Sequence, residues 1–367
     1  MLLGVPKEIK VHEYRVGMTP AAVREAVAHG HSVLVQAGAG AGADYVDAQY
    51  LAAGAEIAAT AAEIFTRAEM IVKVKEPQPL ECAMLREGQI LFTYLHLAPD
   101  PEQVRLLLQS GCTAIGYETV TGNDGGLPLL APMSEVAGRM SIQVGATCLQ
   151  KAAGGRGVLL GGVPGVLPAR VAILGGGVAG AQAARIAAGM GAEVTVLDTS
   201  LSRLRLLDEI FSARIRTLYA TRQTIEEAIL EADLVVGAVL IPGAAAPKLV
   251  GREHVACMRP GTVLVDVSID QGGCFETSRP TTHRDPAYEV GGVMHYCVAN
   301  MPGAVPHTST IALNNATLPY TLALADKGWR RACAEDRHLS NGVNIHAGEV
   351  TCKAVAATLG LAYRPAI

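Results

Sequence analysis

Arg170-Val171-Ala172-Ile173-Leu174-Gly175-Gly176-Gly177-Val178-Ala179-Gly180 decides the fold. The five residues before the glycines make a short strand, and the chain after them reads as a helix to about Gly189. In a strand–turn–helix, Gly175 permits a tight turn, Gly177 lets the backbone approach a pyrophosphate, and Gly180 lets the helix pack closely on the strand. The helix N-terminus adds N–H donors and a dipole that favours phosphate oxygens. A second strand, 193–197, ends in Asp198, 23 residues beyond Gly175. A carboxylate there accepts hydrogen bonds from ribose hydroxyls and repels a 2′-phosphate, so the pattern points to NAD rather than NADP.

Working outward, further strands are expected at 234–238 and 262–267, which completes a run of βαβ units. One long helix is expected at 133–153, joined to the first glycine-loop strand by a Gly/Pro-rich connection at 154–168. Towards the N-terminus, strands at 32–36, 70–74, 89–94 and 113–116 alternate with helices at 20–29 and 101–109. Pro20 and Pro101 suit first helical turns, where a missing N–H costs little. A loop-rich stretch around Asn300-Met301-Pro302-Gly303 is followed, from about residue 310, by helices. The expected architecture is α/β with two domains. A Rossmann-type NAD-binding domain (129–305) is inserted in a discontinuous α/β catalytic domain (1–128 and 306–367), with the active site in the cleft between them.

With 367 residues, half of them hydrophobic, the chain can build two sizeable cores. A net charge of −4 and scattered lysines and arginines exclude a nucleic-acid surface as the expectation. The N-terminal apolar run is too short for a signal peptide, and 234–247 is too short and proline-broken for a membrane span. A soluble cytoplasmic protein is expected. None of the eight cysteines forms a CxxC pair, so they are read as reduced core residues, and no metal is expected. Gly38-Ala39-Gly40-Ala41-Gly42 also follows a strand, but no acidic residue closes a second strand at the required distance. It is read as an ordinary flexible loop.

Ligands of open parallel sheets gather beyond the carboxyl ends of strands. Arg15 follows the first strand, Lys75 ends Ile71-Val72-Lys73-Val74-Lys75, His96 ends Leu91-Phe92-Thr93-Tyr94-Leu95, and Asp270 follows Val265-Asp266-Val267-Ser268-Ile269. A cation, an amine, an imidazole and a carboxylate suit an acidic substrate whose carbonyl or amine exchanges protons. Singly, each residue is equally readable as a surface charge, a packed histidine or a turn cap.

As a set they become specific. Gly4-Val5-Pro6-Lys7-Glu8-Ile9-Lys10 with Glu13-Tyr14-Arg15-Val16, Val72-Lys73-Val74-Lys75-Glu76-Pro77, Gln89-Ile90-Leu91-Phe92-Thr93-Tyr94-Leu95-His96, Gly161-Gly162-Val163-Pro164-Gly165-Val166, and His295-Tyr296-Cys297-Val298-Ala299-Asn300-Met301-Pro302-Gly303 resemble alanine dehydrogenases, end to end. The resemblance implies oxidative deamination of L-alanine to pyruvate and ammonium with NAD, in a homo-oligomer, a hexamer in that family, with no nucleic-acid or membrane partner. It implies that Arg15 and Lys75 hold the substrate, that His96 is the general acid/base and that Asp270 assists proton transfer. It also implies cofactor contacts from Met133 and Ser134, from Gly175, Gly177, Val178, Ala179 and Gly180, from Asp198 and Arg203, from Val239 and Leu240, from Val267, Ser268 and Ile269, from Arg279, and from Val298, Ala299, Asn300 and Met301. Two positions depart from the family pattern: His307, where Arg is usual, and Ala220, where a Ser near the adenosine is common. A saccharopine- or lysine-forming opine dehydrogenase and a non-catalytic NAD-binding subunit like that of transhydrogenase are the alternatives. The four catalytic candidates occurring together argue against the second.

Overall fold

The computed structural model describes residues 1–239 and 246–366. The chain divides into two compact units, Met1–Met133 with Gly303–Ile367, and Ser134–Pro302. Strands are numbered here in chain order. The first unit holds β1 (Leu2–Val5), β2 (Ser32–Gln36), β3 (Glu56–Ala58), β4 (Met70–Val72), β5 (Ile90–Thr93) and β6 (Thr113–Gly116). The second holds β7 (Arg170–Leu174), β8 (Glu193–Asp198), β9 (Arg216–Tyr219), β10 (Leu234–Gly237), β11 (Val263–Asp266), β12 (Ala287–Val290) and β13 (Val293–Tyr296). The chain then returns to the first unit with β14 (Val343–His346) and β15 (Glu349–Val350).

Both units carry the same doubly wound order. The first sheet runs β15-β14-β6-β5-β4-β1-β2-β3, parallel except where β14 and β15 add an antiparallel edge. The second runs β12-β13-β11-β10-β7-β8-β9, parallel except for β12. In each, the chain winds outward on one side of its first strand and then crosses to the other. This leaves a switch point between β1 and β4 in the first unit and between β7 and β10 in the second, where such sheets bind ligands. The central strands are apolar and buried on both faces, as a helix-covered parallel sheet requires.

Helix starts follow local chemistry. Thr19 and Asp100 accept from the N–H groups of Ala22 and Gln103, with Pro20 and Pro101 in the first turns. Three expectations need correction. The helix expected over 133–153 spans Ala131–Cys148, and a separate 3₁₀ turn, Lys151–Ala153, follows it. The C-terminal segment is not all helix, since it supplies β14 and β15. Residues 38–42 form a packed turn rather than a flexible loop, with Gly40 against Tyr50 and Gly42 against Tyr14. All eight cysteines are free, and six are buried. No helix among the described residues is long and apolar enough to cross a membrane.

Candidate functional site

In the first unit the structure brings Arg15, Lys75 and His96 to the carboxyl ends of β1, β4 and β5, beside the switch point. Lys75 Nζ lies 3.4 Å from His96 Nε2. The imidazole stacks on Tyr94, with ring centroids 5.8 Å apart and planes 18° from parallel. Tyr94 is itself anchored, its hydroxyl donating to the Leu129 carbonyl at 2.6 Å, and burial pushes its pKa up.

Arg15 is only 2% exposed. Its Nε and Nη2 donate to Glu13 Oε1 and Oε2 at 2.7 and 2.6 Å, and its backbone N–H donates to Oε1 at 3.0 Å. Burial opposes the guanidinium charge, but Glu13 more than compensates and the Arg15 pKa rises. The bidentate pair fixes the guanidinium plane and turns Nη1 towards Met133 Sδ, 2.9 Å away.

Backbone N–H groups are what hold Lys75 and His96. Glu8 Oε1 accepts from Val74 N at 2.7 Å and Lys75 N at 3.3 Å, and its Oε2 pairs with Lys73 Nζ at 3.1 Å. Lys73 also donates to Glu81 Oε1 at 2.6 Å. This triad is fully buried. Burial opposes the Lys73 charge, but Glu8 and Glu81 override it and raise its pKa, while burial raises that of Glu8. Glu118 does the same work beside His96, accepting from His96 N at 2.6 Å and Leu95 N at 3.1 Å. Sequence reasoning gave no site role to Glu8, Glu13, Lys73, Glu81 or Glu118. One available signal was Lys73, a second charge inside an apolar strand run.

The second unit holds the remaining candidates. Gly175 adopts φ +99°, which only glycine takes without strain, and a Cβ there would press on the Ala238 carbonyl beyond β10. A Cβ on Gly180 would run into the Gly175 carbonyl oxygen. A Cβ on Gly177 would meet nothing within 4 Å among the described residues. Gly177 is also the N-cap of helix Val178–Gly189, with no side chain to satisfy the first-turn N–H groups. The open space over Gly177 and these N–H groups fit a pyrophosphate. Asp198 ends β8; its Oδ2 accepts from Gly176 N at 2.7 Å and its Oδ1 from Ser200 N at 2.8 Å. Arg203 lays Nε on the Gly176 carbonyl and Nη2 3.2 Å from that of Gly177. Ala179 is partly buried behind the loop, and Val178 is exposed.

Beyond β10 and β11, Val239 accepts through its carbonyl from Ser268 Oγ at 2.7 Å. Ser268 sits in the 3₁₀ turn Val267–Gln271, which also carries Val267, Ile269 and an exposed Asp270. Buried Asp266 caps that turn through Ser268 N at 3.0 Å, and burial raises its pKa against the pull of Ser278 and backbone N–H groups. Arg279 stacks on Tyr288, 4.1 Å from the ring centroid. Val298 and Ala299 pair with Thr281, and Asn300 holds a left-handed φ of +63° ahead of Met301. Ser134 lies near the start of helix Ala131–Cys148. Leu240 lies outside the described residues.

The two departures have local roles. His307 Nδ1 lies 2.9 Å from the Ala43 carbonyl and the ring stacks on Tyr45, so it packs the start of helix Pro306–Lys327. Ala220 follows β9 and donates its N–H to Asp198 O at 3.0 Å. No group of three or more His, Cys, Asp or Glu side chains among the described residues could hold a metal ion.

Two family profiles match the chain: alanine dehydrogenase/PNT, N-terminal domain, over residues 4–137, and alanine dehydrogenase/PNT, C-terminal domain, over 141–353. The chain is 60% identical to the alanine dehydrogenase of Halomonas elongata, across 99% of this chain and 98% of that one. A solved L-alanine dehydrogenase superposes with a TM-score of 0.94 at 51% identity, across 98% of this chain and 99% of that one. A transhydrogenase from Sinorhizobium meliloti shares the fold, with a TM-score of 0.81 at 24% identity across 96% and 100% of the two chains.

Proposed function

We infer the activity from one premise: this chain belongs to the alanine dehydrogenase/PNT family. It is an oxidoreductase that reversibly deaminates L-alanine, and a nicotinamide dinucleotide is its hydride acceptor. We propose NAD as the dinucleotide, because the Asp198 carboxylate ends β8 where a 2′-phosphate would be repelled. The balanced reaction is L-alanine, NAD⁺ and water giving pyruvate, ammonium, NADH and a proton.

The observation that carries the residue roles is the amine–imidazole pair at 3.4 Å, beside a buried arginine in the same unit. Arg15, its plane fixed by Glu13, binds the substrate carboxylate through the Nη1 side. Lys75 holds the carbonyl oxygen or imine nitrogen by a hydrogen bond from Nζ. His96 removes a proton from the attacking water and returns it to the departing amine, a contribution of about 10²–10⁴-fold in rate. Asp270, exposed on its turn, assists the proton transfers that form and collapse the carbinolamine. A bound nicotinamide would supply the acceptor for the hydride that leaves the α-carbon of alanine. Gly177 and the first-turn N–H groups would hold the pyrophosphate, and Arg203, Val239, Ser268, Arg279 and Val298–Met301 would line the remainder. Leu240 is assigned with them on the resemblance alone.

By the same premise we propose a cytoplasmic homo-oligomer, a hexamer of 38.1 kDa chains, to be weighed by light scattering. The deciding experiment for the activity is an amino-acid screen with NAD⁺. L-alanine is reduced-cofactor-forming much faster than L-lysine, L-glutamate or glycine. Comparable rates with a bulky amino acid would favour an opine-type enzyme instead.

A further inference from the structure

We propose that Glu118 is the positioning residue for His96. The proposal rests on the acid/base role assigned to His96 above. His96 has a backbone φ of +50°, a left-handed conformation that residues with a Cβ adopt rarely and at a cost. A chain leaving β5 would by default continue extended. Something must hold this turn, and the structure shows what does. Glu118, in the 3₁₀ turn Tyr117–Thr119 after β6, presents its carboxylate to two consecutive N–H groups. Oε1 accepts from His96 N at 2.6 Å and from Leu95 N at 3.1 Å, and Oε2 accepts from Leu95 N at 3.2 Å. A charged acceptor makes these bonds stronger than amide–carbonyl bonds.

The turn sets the direction of the imidazole. With His96 left-handed, the ring lies flat on Tyr94 and its Nε2 comes within 3.4 Å of Lys75 Nζ. An extended His96 would swing the Cα–Cβ bond away from that position. Glu118 accepts from the main-chain N–H groups of Leu95 and His96, so it acts through the backbone of its neighbour. Glu8 treats Val74 and Lys75 in the same way, which makes the two halves of the amine–imidazole pair alike in construction. Glu8 is also tied into the buried Lys73 triad, so its replacement would disturb folding, whereas Glu118 can be tested alone.

Glu118→Ala, compared with the wild-type enzyme, lowers kcat for L-alanine oxidation about 10- to 100-fold, part of the general acid/base factor. The Kd for NADH, read by fluorescence, stays within about twofold, and KM for L-alanine moves much less than kcat. Glu118→Gln keeps an oxygen acceptor for both N–H groups and restores most of the lost turnover. Carbethoxylation of His96 by diethyl pyrocarbonate, followed by peptide mass spectrometry, speeds up severalfold in Glu118→Ala because the ring leaves Lys75 and Tyr94. This last readout needs no turnover, so wild-type protein inactive on L-alanine would sink the activity while leaving the positioning test readable. Unchanged kcat and unchanged carbethoxylation in Glu118→Ala overturn the proposal. A loss that Glu118→Gln does not restore overturns it too, since charge rather than the backbone hydrogen bonds would then be responsible. If Glu118→Ala does not fold, Glu118→Asp, whose shorter arm withdraws the acceptor, must show the same kcat loss with NADH binding retained.

Discussion

Gly177→Ala separates what the fold needs from what the cofactor needs. Gly177 has φ −62° and ψ −161°, an extended conformation open to any L-residue, and an added Cβ meets nothing within 4 Å among the described residues. The fold therefore loses little: alanine is a poorer N-cap than glycine by about 1 kcal/mol. For a unit of this size that lowers Tm by about 2–4 °C. The methyl group instead occupies the space a pyrophosphate needs to reach the first-turn N–H groups. Overfilling a tight contact by one methyl costs about 1–3 kcal/mol. At 1.4 kcal/mol per tenfold, NADH should bind about 5- to 150-fold more weakly. Gly180→Ala is the internal control, because its Cβ runs into the Gly175 carbonyl within the protein itself. It should lower Tm well beyond Gly177→Ala. The assays are a fluorescence titration of NADH and a thermal melt of the cofactor-free protein. Wild-type NADH affinity in Gly177→Ala, or a Tm loss equal to that of Gly180→Ala, would refute the reasoning.

Asp198→Gly should raise the NADP⁺ to NAD⁺ ratio of kcat/KM by about tenfold, the value of one charge-assisted contact, and weaken NADH as well because Gly176 loses its anchor; an unchanged ratio places ribose selection elsewhere. Glu13→Gln breaks the buried bidentate Arg15–Glu13 ion pair, so stability should fall by about 3–5 kcal/mol in chemical denaturation and KM for pyruvate should rise. Wild-type values of both would show that Glu13 is idle. Lys73→Met leaves Glu8 and Glu81 buried together. Burial already holds the Glu8 carboxyl above its ordinary value, and losing Lys73, which pulls it down, drives it higher. A carboxyl with a raised folded-state pKa favours the fold below its unfolded value and loses that advantage as pH rises through the folded one. The variant's stability deficit should therefore be larger at pH 8 than at pH 5, and an equal deficit at both would contradict the assignment.

The glycine loop was legible because several independent patterns coincide there: an apolar strand, glycines at fixed offsets, a helix, and Asp198 closing the next strand. The structure places all of them as the pattern implies. β9 was not legible, since Arg216-Thr217-Leu218-Tyr219 is a mostly exposed edge with no apolar run to mark it. β14 and β15 are short antiparallel additions, and a four-residue strand among helices has too little periodicity to stand out.

The site divides along the same line. Lys75 and His96 could be singled out because they end apolar strands, where a polar side chain is conspicuous. The carboxylates that hold them could not. Glu8 reaches Val74 and Lys75 from the far side of the switch point, and Glu118 reaches back to Leu95 and His96 from the next strand. A side chain that binds a backbone N–H pairs with a donor that every residue except proline carries. No spacing of residue types announces such a contact, because the partner's identity is irrelevant to it. What selects the contact is topology: parallel strands β4, β5 and β6 lie side by side, so the turn beyond one strand end falls within reach of the N–H groups at another. The reacting side chains are thus readable from the sequence one strand at a time, while the 3.4 Å separation between two of them is a property of the sheet order and of acceptors placed by it.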